Sequence, residues 1–341
     1  MQRTNTLVVG QGIAGTLVAF MLHQQGVPFI VIDTVDENTA SRVAAGMFTP
    51  ISGKRKTIQP LVLQQISYAV KTYQEIEQLL GISFLHLQNI HYVYNSLSEK
   101  DELVTKSIQP ESSKYIVTNV ESIPGIKEEM GACEINHSGW VDCGAMINGF
   151  ARWLQQNNAL IESVFEYEKL LITNETMQYN GIEFSNIIFC EGYRAIHNPF
   201  FSKENIIACK GDVLTVAYYQ PITNKIIKKN GIYLVPFGDN LFRAGSTYQW
   251  NNDTALPDEA SKKLIENKLD YMLEKGYSTI AHRAAIRPTT KDREGIAKQH
   301  PQYAGMFMLN GLGTKGVLQG PWRAAHLVQL CLAADNKYTS S

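Results

Sequence analysis

No strong charge of one sign, no long apolar run and no paired cysteines mark this chain, and each absence narrows what it can be. Lys and Arg number 31 against 32 Asp and Glu, a formal net charge of −1. That balance gives no reason to expect a nucleic-acid-coated surface, though a local basic patch stays open. No run of 18 or more apolar residues occurs, so neither a transmembrane helix nor a membrane partner is expected. The five cysteines, Cys133, Cys143, Cys190, Cys209 and Cys331, form no CxxC pair and show no zinc spacing. Their odd number and scatter predict reduced, mostly buried thiols in a reducing compartment. The eight histidines are scattered, and neither HExxH nor a Ser-His-Asp arrangement appears. Hydrolase and metalloenzyme chemistry is therefore not expected, and no metal ligands are assigned. The first strand begins within six residues of the start, which predicts no signal peptide and a cytoplasmic location.

What is present suits a globular protein. The 341 residues are 44% hydrophobic and 18% charged, with room for two domains and a sizeable core. The organising stretch is Thr6–Asp33. Apolar Leu7–Val9 leads into Gly10-Gln11-Gly12-Ile13-Ala14-Gly15, then a helix-like segment to about Gln25, then a strand, Phe29–Ile32, ending at Asp33. Gly10 permits the tight turn, Gly12 lets the backbone approach a pyrophosphate, and Gly15 lets the helix pack on the strand. The N–H groups of Ile13 and Ala14 stand at the helix N-terminus, where they favour phosphate. Asp33 lies 18 residues after Gly15, where an acid can take ribose hydroxyls. The pattern predicts dinucleotide binding; a buried βαβ unit with no ligand is the alternative.

The rest of the chain alternates in texture. Small residues at Ala44-Ala45-Gly46-Met47 suit either close approach to a flat ligand or a tight helix start. Lys54-Arg55-Lys56 is a basic run, either a solvated loop or an anion site. Residues 60–80 have helical spacing and stop at Gly81. The run ISFLHLQNIHYVYNS reads as strand pairs. A polar helix with loops is expected within Ser96–Ser113. Asp142 is a candidate N-cap for a helix over Gly144–Gln156, followed by a strand over Leu160–Phe165. Asn186–Cys190 reads as another parallel strand. Residues 209–250 are β-rich, with a hairpin at Gly238-Asp239, and a helix is expected over 257–276. Met306–Asn310 is a strand, followed by Gly311-Leu312-Gly313-Thr314-Lys315-Gly316 and a closing helix from about Pro321 to Ala333, with Pro321 in its first turn.

These signals stand in a fixed order: GxGxxG with Asp33, AAGM, GWVD, IIFCEG, KGDVLTV, YLVPFGDNLFRAGST, IRPTTKD and NGLGTKGVLQGPW. In that order they resemble the D-amino-acid oxidase superfamily of flavoproteins, nearest the glycine oxidase and sarcosine oxidase branch. They are also similar to the flavin oxidase domain of the bifunctional enzyme that matures 5-methylaminomethyl-2-thiouridine in tRNA. The resemblance implies an α/β fold: a Rossmann-like FAD-binding domain from residues 1–81, 140–209 and 284–341, interleaved with a mixed β-sheet substrate domain from 82–139 and 210–283. It implies FAD, bound non-covalently because Cys331 lies inside the closing helix. Gly10, Gly12, Gly15 and Asp33 would hold pyrophosphate and ribose, and Ser41 and Arg42 would reach the phosphates. Ala45, Gly46 and Met47 would run along the flavin ring, Val164 would meet adenine, and Gly192 would close the strand beneath. Gly313, Thr314, Lys315, Gly316 and Val317 would bring N–H groups to the flavin's N1–C2=O edge.

The resemblance also assigns the substrate end. Arg287 matches the arginine that forks onto an amino-acid carboxylate; the residues alone leave a structural pair with Asp292 equally open. Tyr233 matches a substrate tyrosine, which could otherwise be core, and Tyr248 is a further pocket candidate. Three functions follow. The first is an FAD-dependent oxidoreductase acting on a small amine or amino acid. The second is a tRNA wobble-uridine oxidase, suggested by GLGTKG and the basic run but opposed by the near-neutral charge and the lack of a fused methyltransferase domain. The third is a non-catalytic flavin-binding protein. The electron acceptor and oligomeric state are not encoded legibly.

Overall fold

Three segments far apart in the chain lie side by side in one parallel sheet. The structure, a computed structural model, describes residues 2–34, 36–53, 55–58, 60–173, 176–219 and 224–338. Its six-stranded sheet runs Leu160–Glu162, Phe29–Asp33, Thr6–Val9, Asn186–Phe189, Met306–Asn310 and Ile296–Gln299. The first five strands are parallel and the last is antiparallel. Thr6–Val9, Asn186–Phe189 and Met306–Asn310 are buried at every residue. Strands covered on both faces need apolar side chains on both, hence their unbroken apolar runs. The strand at Leu160 stops at Glu162, short of the expected Phe165.

The helices Ile13–Gln24 and Gly316–Tyr338 pack on this sheet in one cluster with Cys143–Gln156. The helix Ile13–Gln24 is buried continuously from Ala14 to Leu22, so it reads as apolar all round. The last helix, Gly316–Tyr338, lies against it: a Cβ on Gly320 would stand 2.8 Å from Leu17 Cδ1. This helix starts five residues before the expected Pro321, directly from the glycine loop. Pro321 then sits in its second turn and cannot donate to the Val317 carbonyl. The buried Tyr73 hydroxyl, from the helix Val62–Leu80, donates to that carbonyl at 2.8 Å and replaces the missing bond.

A nine-stranded mixed sheet forms the second layer. Its spine is the antiparallel pair Ile207–Tyr218 and Tyr277–Thr289, paired from Ile207 opposite Thr289 to Tyr218 opposite Tyr277 with a one-residue register shift between Thr215 and Val216. Leu241–Gly245, Ile232–Pro236, Ile226–Lys229 and Ile90–Val93 follow outward. Leu214, Val216, Leu234 and Phe242 pack under Ile265 and Leu269 of the helix Glu259–Met272. The run read as strand pairs divides instead between two sheets. Ile90–Val93 pairs with Ala132–Ile135, while Leu85–Leu87 joins a small sheet with Gly139–Val141 and Met47–Phe48. Alternation sets the strand character but not the partner, which the packing of both layers selects.

Caps follow the expected chemistry. Asp142 accepts the Ala145 N–H at 3.1 Å, Asp258 the Ser261 N–H at 2.8 Å, and Ser96 the Glu99 N–H at 3.1 Å. Gly81 ends its helix in the left-handed conformation. Among the described residues no helix is long and apolar enough to cross a membrane.

Candidate active site

A cavity of about 760 Å3 is lined by residues of both large sheets. One end is built on the glycine turn. Gly10 has φ +98, and a Cβ there would stand 2.4 Å from the Cys190 carbonyl oxygen. A Cβ on Gly15 would stand 1.8 Å from the Gly10 carbonyl oxygen. Gly15 therefore seats the helix on the turn and does not line the cavity, whereas Gly10, Gly12, Ile13 and Ala14 do. The helix opens with no acidic residue in its first turn and no side chain from its cap residue. Its positive end faces the cavity, as an anionic group requires. Ser41 Oγ accepts the Ile13 N–H at 3.0 Å, which places the hydroxyl at this helix end.

Asp33 also lines the cavity, and its carboxylate accepts the Gln11 N–H at 2.8 Å. Burial raises its pKa, with the Gln11 bond opposing. Arg42 turns away. Its guanidinium bonds Asn148 and stands 3.9 Å from Glu37, on a separate polar cleft of about 350 Å3. Ala45, Gly46 and Met47 line the middle of the main cavity, with Cys143. Val164 lines it beside Ser163 and Phe165, and Gly192 beside Glu191. Glu191, missed in the sequence reading, is a partly buried residue whose carboxylate accepts the Tyr167 hydroxyl and Asn198 Nδ2. Burial raises its pKa.

Gly313, Thr314, Gly316 and Val317 bring a second helix N-terminus to the same cavity, again with no acid in the first turn. Lys315 does not line the wall. Its backbone N–H closes the turn onto the Leu312 carbonyl at 3.0 Å.

The other end centres on Arg287. Its Nη2 donates to Ser246 Oγ at 2.7 Å and its Nη1 to the Thr247 carbonyl at 3.2 Å. The guanidinium lies 4.8 Å from the centre of the Tyr248 ring. Gly211 makes room for it: a Cβ there would stand 2.0 Å from Nη2. Thr247 is held in turn by the buried Asp212, whose N–H donates to Thr247 Oγ1 at 2.9 Å. Asp292 bonds Thr290 Oγ1 and the Glu294 N–H instead, so the structural pair left open by the sequence does not form. Among the described residues no carboxylate reaches salt-bridge distance of Arg287. Tyr233 and Tyr248 share the cavity with it. Burial raises the Tyr233 hydroxyl's pKa.

Of the basic run, Lys54 lies outside the described residues. Lys56 is buried on Glu102 at 2.6 Å and Glu99 at 3.3 Å, so its charge is neutralised internally. Arg55 is exposed. Ser246, Thr247 and Gly211 escaped the sequence reading. Their signal is only the register that sets Gly211 beside Ala285, two residues from Arg287.

Comparison with known proteins bears on the fold. A glycine oxidase from Bacillus cereus superposes with a TM-score of 0.81 at 17% identity, over 97% of this chain and 95% of that one. An iminodiacetate oxidase from Chelativorans sp. gives 0.80 at 16%, over 96% and 95%. An FAD-bound L-alpha-glycerophosphate oxidase from Mycoplasma pneumoniae gives 0.75 at 16%, over 97% and 95%. At such identities the likeness is one of fold. The family model for FAD-dependent oxidoreductases of the DAO type matches residues 5–330. With its glycine turn, its two helix ends and nearly its whole length accounted for by that model, the chain belongs to the DAO family of FAD-dependent oxidoreductases.

Proposed function

We propose that this protein oxidises the C–N bond of a small amino acid or N-substituted glycine. Arg287 carries the reading. It is a guanidinium in a cavity wall, braced by Ser246, Thr247 and Tyr248, with no carboxylate among the described residues to neutralise it. A planar fork so placed suits a substrate carboxylate, and holding that group fixes which C–H of the neighbouring carbon is presented. Tyr233 and Tyr248 would flank the amine and exclude water from it. FAD, when bound, supplies the hydride acceptor. Several similar folds carry amine-oxidising names, glycine oxidase and iminodiacetate oxidase among them.

We read the cofactor as non-covalent. The thiols on the wall are Cys143 and Cys190; burial pushes Cys143 up to about 12 and Cys190 well above its ordinary value. Both therefore stay protonated and unreactive. Residues 1–81, 140–209 and 284–341 would hold FAD, and 82–139 and 210–283 would form the substrate side. The two long strands, Ile207–Tyr218 and Tyr277–Thr289, run across both boundaries and couple the two parts.

The test is anaerobic mixing of the yellow holoenzyme with glycine, sarcosine, D-amino acids and N-substituted glycines. At least one should bleach the flavin band. If none does, the reading is wrong. For an accepted substrate, Arg287→Ala should raise KM by about 100-fold, since it removes a bidentate charged contact.

A further inference from the structure

The face of the large sheet turned away from the cavity carries a charged cluster that the site so far leaves unused. Along Ile207–Tyr218 and Tyr277–Thr289, successive residues point to opposite faces and paired residues share one. Gly211, Val213, Ala285 and Arg287 take the cavity side. Lys210, Asp212 and His282 take the other, with Leu214, which packs under the helix Glu259–Met272. Lys210 and Asp212 are fully buried there. Asp212 is the hub. Its Oδ1 stands 2.9 Å from His282 Nε2 and accepts the Asp258 N–H at 3.3 Å. Its Oδ2 accepts the Thr247 hydroxyl at 3.2 Å and stands 3.5 Å from Lys210 Nζ. Lys210 donates to Asp258 Oδ2 at 2.6 Å, and Asp258 caps the helix behind.

Thr247 links this cluster to the cavity. Its neighbours Ser246 and Tyr248 line the wall, while Thr247 itself is buried behind them. Every polar atom of Thr247 is committed. Its N–H donates to the Asp212 carbonyl at 3.3 Å. Its hydroxyl accepts the Asp212 N–H at 2.9 Å and donates to the Asp212 carboxylate. Its carbonyl accepts Arg287 Nη1 at 3.2 Å. A buried hydroxyl that gives and takes at once is held in one rotor position. The carbonyl that aims the guanidinium is thus fixed from the far side of the sheet. The acids of the cluster stay behind the strand pair, where they do not occupy the fork that faces the cavity.

We propose that Thr247 and Asp212 are positioning residues for substrate binding: through the Thr247 carbonyl they hold the Arg287 fork ready for a carboxylate, although neither side chain faces the cavity. This rests on the carboxylate reading of Arg287. A long side chain loses rotamer freedom when it binds an anion, and a carbonyl fixed beforehand removes part of that loss from the binding step. A site held this way is only as sharp as the groups that support it. Removing the Thr247 hydroxyl leaves the buried Asp212 N–H without its acceptor and Oδ2 without a donor, so the loop shifts and the carbonyl moves with it.

The test uses oxidised holoenzyme and two thioethers that carry no oxidisable amine: (methylthio)acetate and its neutral counterpart (methylthio)acetamide. Binding is read from the perturbation of the flavin absorbance. Wild type should prefer the acetate by about tenfold or more, as a charge-assisted contact gives, and Arg287→Met should bring the ratio of affinities near one. Thr247→Val keeps the shape and the backbone but removes the hydroxyl, and should lower the ratio about fivefold. Thr247→Ser restores the hydroxyl and should stay within about twofold of wild type. Asp212→Asn turns an N–H2 group toward its donors and should lower the ratio about threefold. Adding Thr247→Val to Arg287→Met should change the ratio no further, because the effect passes through Arg287. General damage moves both ligands together and leaves the ratio where it was. A preference that Arg287→Met abolishes but Thr247→Val leaves intact overturns the proposal and upholds the Arg287 reading. A loss in Thr247→Ser as full as in Thr247→Val also overturns it, and an unchanged ratio in Asp212→Asn strikes the Asp212 carboxylate from it. If wild type shows no preference, or binds neither thioether, the Arg287 reading falls and this one with it.

Discussion

Arg287 owes its position to a side chain that is absent. Gly211 stands across the strand pair, and its missing Cβ is where the guanidinium lies. Its backbone needs no left-handed conformation, so alanine would be tolerated by the fold. The methyl would instead push on the far end of a flexible side chain. Gly211→Ala should therefore raise KM for a carboxylate substrate by about tenfold, the scale of one charge-assisted hydrogen bond, while unfolding stability changes by less than about 1 kcal/mol. Steady-state kinetics beside a denaturant titration would check it; equal loss in both would mean that Gly211 serves the fold and not the site. Side-chain direction was the part least legible beforehand. Gly10, Asp33 and Arg287 each stand on the cavity wall, but Arg42, beside an equally good position, lines a separate cleft, and Lys315 does not line the wall. A spacing fixes where a backbone runs, and the neighbours decide where its long side chains go.

Among the elements, the final helix is the instructive one. A proline read as a helix start is sound local reasoning, because the first turn needs no N–H from it. Here Pro321 lies within the helix, made tolerable by Tyr73, 244 residues before the carbonyl it serves. No local pattern carries that information. The glycine turn, the capped helices and the buried parallel strands were legible because each depends on a few adjacent residues. The split of Leu85–Leu87 from Ile90–Val93 was not, because strand partners are chosen across the sheet. Tyr73→Phe keeps the ring and removes only the donor, leaving the Val317 carbonyl unsatisfied. It should destabilise the protein by about 1–3 kcal/mol. Since Val317 lines the cavity, FAD affinity should fall as well. Thermal unfolding and flavin titration would read both, and unchanged values would show that water replaces the hydroxyl.

At the scale of the whole molecule, one cavity joins the glycine turn, the two helix ends and the Arg287 strand. A ligand touching all of them stabilises the folded state alone. Free FAD at about 100 times its dissociation constant should add about 2.7 kcal/mol to the unfolding free energy. The thermal midpoint should climb with FAD concentration; a midpoint indifferent to FAD would mean that the cavity does not hold it.

The sheet places Thr6–Val9 beside Asn186–Phe189, and that strand beside Met306–Asn310. A ribosome releases these strands in that order, far apart in time. The glycine turn is made early and stays half a site until Met306–Asn310 and the glycine loop after it have been made. Pairing across such separations is slow, and an open strand edge is exposed in the interval. Cofactor capture therefore waits for Met306–Asn310 and the helix that follows it, and the yellow colour of a newly made molecule certifies that this helix has arrived.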